Sequence, residues 1–148
     1  MMKLDELEVY RITMEIGDKV WEIVDNWNYF AKKTVGEQLV RAVDSIAANL
    51  SEGYGRFSYK ENKNFCYYSR GSLMETKTWL IKASSRRLIK SEEFDEFIST
   101  LEILHRKLNS YIRSIGIKSP LTMLPKRIND LVSFENSLLI FPANEFRV

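Results

Sequence analysis

The stretch Gln38-Leu39-Val40-Arg41-Ala42-Val43-Asp44-Ser45-Ile46-Ala47-Ala48-Asn49-Leu50-Ser51-Glu52-Gly53-Tyr54-Gly55-Arg56 carries two stripes at once. Its apolar members Leu39, Ala42, Val43, Ile46, Ala47 and Leu50, with Val35 before them, recur in steps of three and four, which is one face of an α-helix. Arg41, Ser45, Asn49 and Glu52 recur at the same spacing and form a second, polar stripe, with Arg56 just beyond. Thr34 with Glu37 three residues later is expected to cap this helix, and Gly53-Tyr54-Gly55 to end it. No segment between residues 1 and 118 alternates with period two, as a strand would.

Three further helices follow by the same reasoning. Leu7, Tyr10, Met14, Gly17, Trp21 and Val24 place one stripe along a first helix from about residue 5 to residue 25. Ile12, Ile16, Val20 and Ile23 widen its apolar arc, a width useful for covering both a core and a partner. Ser58 with Glu61 opens a third helix, expected over 59–88, with Phe65, Tyr68, Ser72, Leu73, Thr76, Leu80 and Ala83 on one side. Ser91, followed by Glu92 and Glu93, is expected to cap a fourth, along which Phe94, Phe97, Ile98, Leu101, Leu104, Leu108, Tyr111, Ile112 and Ile115 line up before Gly116 stops it.

All three prolines (Pro120, Pro125, Pro142) lie beyond these helices, whose interiors they would break. Four amphipathic helices with short connections predict an all-α fold, an antiparallel up-and-down four-helix bundle of left-handed twist over residues 1–118. Residues 119–148 form a C-terminal extension, with a short helix expected around Lys126 to Leu139. Its apolar cluster Leu138-Leu139-Ile140-Phe141 is expected to dock on the bundle or on a neighbouring subunit.

The composition, 148 residues with 45% hydrophobic and 28% charged side chains, suits one ordinary soluble domain. Cys66 and His105 are the sole cysteine and histidine, which excludes an intrachain disulfide and a cluster of soft metal ligands. No cofactor is expected. No apolar run reaches the ~18 residues of a membrane span and none near the start has the make-up of a signal peptide, so a cytoplasmic location and no membrane partner are expected. Net charge is only +2, but residues 1–57 hold 7 basic and 10 acidic side chains and residues 58–118 hold 12 and 7. A basic middle is offset by an acidic start.

The 38–56 string, a capped basic helix after it, and Arg70-Gly71-Ser72-Leu73-Met74-Glu75 together resemble, over roughly residues 7–116, the bacterial four-helix-bundle family named for the protein encoded in 23S rRNA intervening sequences. The resemblance implies a ring-like homopentamer without enzymatic activity. Some members of that family look like accessory subunits of diversity-generating retroelements, so RNA or single-stranded DNA and a reverse transcriptase are implied as partners. Ser51 stands where the family usually has alanine, and the tail beyond Gly116 is longer than the family's compact pattern.

Two readings of the polar residues follow. Gln38, Arg41, Ser45, Asn49, Glu52 and Gly53 are candidates for a structural polar seam that fixes helix register. Arg41, Arg56, Lys60, Lys63 and Arg70, interleaved with Tyr54, Phe57, Tyr59 and Tyr67, are candidates for a nucleic-acid surface, since cations suit phosphates and aromatic rings stack on unpaired bases. Lys82, Arg86 and Arg87, with Lys90, form a second basic cluster at the end of the third helix, where the helix dipole alone favours cations. Catalysis finds little support. Glycines close a helix here rather than open one after a strand, His105 with Glu102 and Lys107 near it is a single histidine on a helix, which is more often a packed or surface residue than a general base, Cys66 sits within an amphipathic helix, and carboxylates such as Glu15, Glu52 and Glu75 lack the Glu-x-x-His pairs of a di-iron bundle. The alternative to nucleic-acid binding is a homo-oligomeric protein-interaction scaffold.

Overall fold

In a computed structural model that describes residues 3–117, the chain forms four long helices, α1 (Glu8–Asp25), α2 (Glu37–Tyr54), α3 (Tyr59–Ser85) and α4 (Ser91–Ser114). A 3₁₀ turn, Leu4–Glu6, precedes α1, and a helical connector of Tyr29–Ala31 and a π-turn over Lys32–Gly36 leads into α2. No strand occurs among the described residues. The expected extension and its Leu138–Phe141 cluster lie outside them.

Each of α1 and α3 packs against both α2 and α4, so α1 and α3 stand at opposite corners of the bundle. Side-chain pairs fix the antiparallel sense. Lys19 Nζ meets Glu96 at 2.7 Å and Lys107 Nζ meets Glu8 at 2.9 Å, joining the two ends of α1 to the opposite ends of α4. Between α3 and α4, Arg70 Nη1 donates to Asn109 Oδ1 at 3.0 Å, and Lys77 lies 3.8 Å from Glu102. The ion pairs among these, largely exposed, are worth at most ~1 kcal/mol each. Core burial outweighs them: Ile16, Leu39, Ile46, Leu73, Leu80 and Leu104 are each at or below 2% exposure, and each contributes roughly 1.5–3 kcal/mol.

On α2 and α4 the expected apolar stripes are the buried ones. On α1 the buried face is Val9, Thr13, Ile16, Gly17, Val20 and Val24, and the expected stripe is displaced from it, with Met14 and Trp21 exposed. Steps of three and four define a stripe but not which of two adjoining stripes faces inward. Packing selects the one built from compact β-branched side chains, which lets α2 and α4 come close. On α3 the same correction moves Tyr68 outward and puts Cys66 and Ser69 in the core.

Two caps also differ from expectation. The helical run into α2 begins earlier, at an Asn28 cap whose Oδ1 accepts from Ala31 N at 2.9 Å, and Thr34 Oγ1 instead donates to Phe30 O at 2.8 Å. At α4 the cap position is Lys90, whose N–H donates to Glu93 Oε2 at 3.1 Å, leaving Ser91 as the first helical residue. In both cases a polar side chain one turn away reaches the free backbone donors first. The Ser58 cap stands as expected: its Oγ accepts from Glu61 N at 3.1 Å and donates to Glu61 Oε2 at 3.0 Å. Gly116, at φ 79°, closes the last turn.

Gly53 sets the spacing at the α2–α3 hairpin. A Cβ at this position would stand 2.8 Å from Phe65 Cβ and 3.0 Å from Asn62 O, so α2 crosses α3 here at a distance only glycine permits.

Candidate nucleic-acid interface

The C-terminus of α3 is shaped by where its carbonyls find donors. Arg87 N donates to Ser84 O and Leu88 N to Ala83 O, both at 2.9 Å, which is the paired closure of a Schellman turn. Its pivot is Arg87 at φ 57°, in the left-handed region that glycine occupies freely and arginine only at a cost of ~1 kcal/mol. The turn carries Leu88 and Ile89 back toward the core and leaves Arg86, Arg87 and Lys90 in solvent. Lys82, one turn earlier, lies with its ammonium 5.7 Å from the Trp79 ring centre.

The connector between α1 and α2 arrives at this same end of the bundle. Tyr29 and Phe30 are 77% and 76% exposed, and Lys33 is exposed after them. Phe30, Asn28 and Thr34 line a groove of about 500 Å³ together with Arg86 and Leu88 of the α3 turn. The π-turn that follows buries both Val35 and Gly36, which anchors the connector while its aromatic pair stays outside. Cations and flat apolar rings therefore share one surface.

Most of the other candidate cations are not gathered with these. Lys60 and Arg86 stand at opposite ends of α3, whose 27 residues span roughly 40 Å. Arg56 is paired with Glu52 and stacked over Phe65 at 4.8 Å. Arg70 is held by Asn109 and lies 5.0 Å from the Tyr67 ring centre. Lys63 is half-buried, and Arg41 is exposed near the other end of α2 from Arg56. The eight cations thus divide into an Arg56, Lys60 and Lys63 group at one end, a Lys82, Arg86 and Arg87 group at the other, Arg41 on the connector side, where it shares a groove with Lys33 and Trp21, and Arg70 apart from both ends.

Along the polar seam the bonds are mostly local. Ser45 Oγ donates to Arg41 O at 2.7 Å and Asn49 Nδ2 to Ser45 O at 2.8 Å, both within α2. Asn49 Nδ2 also reaches Ser72 Oγ on α3 at 3.5 Å, while Gln38 is half-buried near the start of the helix. A stronger tie between the two helices is Ser69 Oγ donating to Ile46 O at 2.8 Å, wholly buried. Sequence reasoning missed Ser69, and it missed Tyr29 and Phe30. The signals were a small hydroxyl one turn before Leu73, and two adjacent aromatics that belong to neither apolar stripe.

Cys66, the one candidate nucleophile in the core, is fully buried, with its Sγ 3.5 Å from Asn62 Oδ1. Loss of solvent pushes its thiol up to about 11. In the unfolded chain it ionises near ~8.5, so the unfolded state loses this proton first. The stability this group contributes is complete below about pH 8.5 and falls away as pH rises toward 11. At pH 8 the native protein should resist a thiol-reactive dye for hours, whereas the chain in denaturant should react within minutes. Rapid labelling of the native protein would refute the buried, protonated state.

Fold and surface define a class, an antiparallel four-helix bundle with a basic and aromatic end. Residues 5–110 match the 23S rRNA-intervening sequence protein family, and the chain belongs to that family. No curated protein matches it in sequence. A crystal structure of a protein of unknown function from the S23 ribosomal protein family of Bacteroides thetaiotaomicron VPI-5482 is similar in fold, with a TM-score of 0.66 at 18% identity. The similarity covers 75% of this chain and 99% of that one. No helix among the described residues is long and apolar enough to cross a membrane.

Proposed function

We propose that this protein is a non-enzymatic, homo-oligomeric bundle that binds single-stranded nucleic acid, RNA or DNA, at the end formed by the α1–α2 connector and the α3 turn. The observation that carries the reading is the groove shared by Phe30 and Arg86, with exposed Tyr29 and Arg87 next to them in the chain and exposed Lys33 and Lys82 three and four residues away. Backbone phosphates pair with the guanidinium and ammonium groups, and unstacked bases lie against the exposed rings. This combination favours a single strand over a duplex, whose bases are already stacked. A family named for rRNA intervening sequences is in keeping with an RNA partner. A monomer of net charge +2 offers little field, but copies arranged about an axis would add their basic ends into one strongly positive rim.

The second reading, an assembly scaffold, draws on a different observation, the exposed Met14, Tyr67 and Met74 away from the basic end. Equilibrium titration of a fluorescent single strand and a duplex of equal length, across salt concentrations, separates the two. Nucleic-acid binding predicts tighter binding of the single strand and a logarithm of affinity that falls linearly with log salt, the slope counting phosphates engaged. Absence of binding to either at low salt would leave the scaffold reading in place.

A further inference from the structure

A second groove opens beside the connector, holding about 390 Å³ between the end of α1, the π-turn and the start of α2. Val24 and Val40 give it an apolar lining. Gly36 brings the backbone of the π-turn down to that lining: a Cβ there would stand 2.7 Å from Val24 Cγ1, closer than a side chain tolerates. Trp21, one turn before the end of α1, lines the groove as well. Val20 and Val24 near it are buried in the core, but Trp21 itself is 62% exposed. The ring therefore adds little to the fold and leaves a large flat apolar face in water.

Charge around this groove is uneven. Lys32 Nζ is taken up by Asp25 Oδ1 at 3.0 Å. Lys33 and Arg41 are exposed and enter no ion pair among the described residues. Glu37, four residues from each, is the one lining carboxylate left without an ion pair, so unpaired cations outnumber it two to one. A flat ring beside a guanidinium and an ammonium suits a base joined to a phosphate. The same make-up, Phe30 with Arg86, recurs in the groove described above.

We propose that the single strand held at the Phe30 and Arg86 groove continues over the connector into this one, where a second base stacks on Trp21 and phosphates meet Arg41 and Lys33. Continuity gives both grooves one occupant. Thr34 and Val35 line the first, and their chain neighbours Lys33 and Gly36 line the second, so a single helical connector, roughly 10 Å across, separates them. An extended strand crosses that width with a few nucleotides. A duplex, whose bases are already stacked on one another, can use neither ring. This inference rests on the reading that the chain binds a single strand, and adds to it a footprint with two aromatic platforms.

The test uses the full chain and fluorescent single strands of about 4 and about 16 nucleotides, the range of site sizes such grooves track. The native protein should favour the longer strand by roughly 10²-fold, the gain from linking two contacts, and Trp21→Ala should remove most of that preference. On the longer strand Trp21→Ala should cost roughly 5- to 150-fold in affinity, the worth of one stacked base, and leave the salt slope unchanged. Arg41→Gln should instead flatten the slope by ~0.7. Glu37→Gln should tighten binding by roughly 2-fold, a direction that damage to the fold would not produce. Trp21 is the most exposed of the three tryptophans, Trp27 and Trp79 being partly buried, so the longer strand should quench the indole emission of the native protein and most of that quench should vanish in Trp21→Phe. Circular dichroism checks that the variants stay helical. If neither strand binds the native protein, the single-strand reading falls and this footprint with it. If Phe30→Ala weakens binding while Trp21→Ala leaves affinity, length preference and emission quench as they were, the second platform alone is overturned. Equal loss on both lengths in Trp21→Ala overturns the crossing of the connector.

Discussion

Replacing Gly53 by valine should lower stability by about 3 kcal/mol or more and the melting temperature by roughly 10 °C. A Cβ there would already stand 2.8 Å from Phe65 Cβ and 3.0 Å from both Asn62 O and Asn62 Oδ1, so the added methyls have nowhere to go. One of the three close atoms is a backbone carbonyl, in the first turn of α3 held by the Ser58 cap. Relief therefore means moving α2 away from α3, which strains Ser69 Oγ to Ile46 O and opens the core around Leu50 and Cys66. Gly53→Ala is expected to cost less, about 1 kcal/mol, because alanine regains ~1 kcal/mol of helix propensity against the clash. Gly71→Ala supplies the contrast: with no atom of the described residues within 4 Å of its Cβ it should raise stability by ~1 kcal/mol. Urea denaturation of the three variants measures all of this. Equal effects at Gly53 and Gly71 would show that helix propensity, not the close crossing, governs both.

The same two glycines show what can and cannot be read from a sequence. Helix existence and order follow from spacing alone, because the Leu39 to Leu50 and Phe97 to Ile112 stripes are long and uninterrupted. The orientation of α1 does not, since two apolar stripes adjoin on that helix and the choice between them depends on what α2 and α4 present. Gly53 and Gly71 look alike in the chain, and only tertiary contact makes one indispensable to the fold. The candidate surface was half legible. Lys82, Arg86 and Arg87 announce themselves as a run of charge, but their aromatic companions Tyr29 and Phe30 lie more than fifty residues earlier and are brought to them by the antiparallel course of the helices. Arg41 and Arg56, near neighbours in the quoted stretch, end up far apart because a helix turns closeness in sequence into length.

Neutralising Lys33, Lys82, Arg86 and Arg87 together to glutamine should weaken single-strand binding by roughly 10² to 10³-fold near 0.1 M salt. Each phosphate contact on a single strand contributes ~0.7 to the slope of log affinity against log salt, so losing four should flatten that slope by about 2.8. The fold should survive, because all four side chains are exposed and none is in an ion pair among the described residues. Removing the rings separates charge from stacking. Phe30→Ala and Tyr29→Ala should each cost about 1 to 3 kcal/mol of binding, the worth of a stacked base, and leave the salt slope unchanged. The Arg56, Lys60 and Lys63 group at the far end supplies the control, since its neutralisation should change neither affinity nor slope by as much. If the far group carries the loss instead, the binding end has been assigned to the wrong pole of the bundle. If both sets weaken binding equally and only through the slope, the strand is held by diffuse charge, and the Phe30 and Arg86 groove has no special part in holding it.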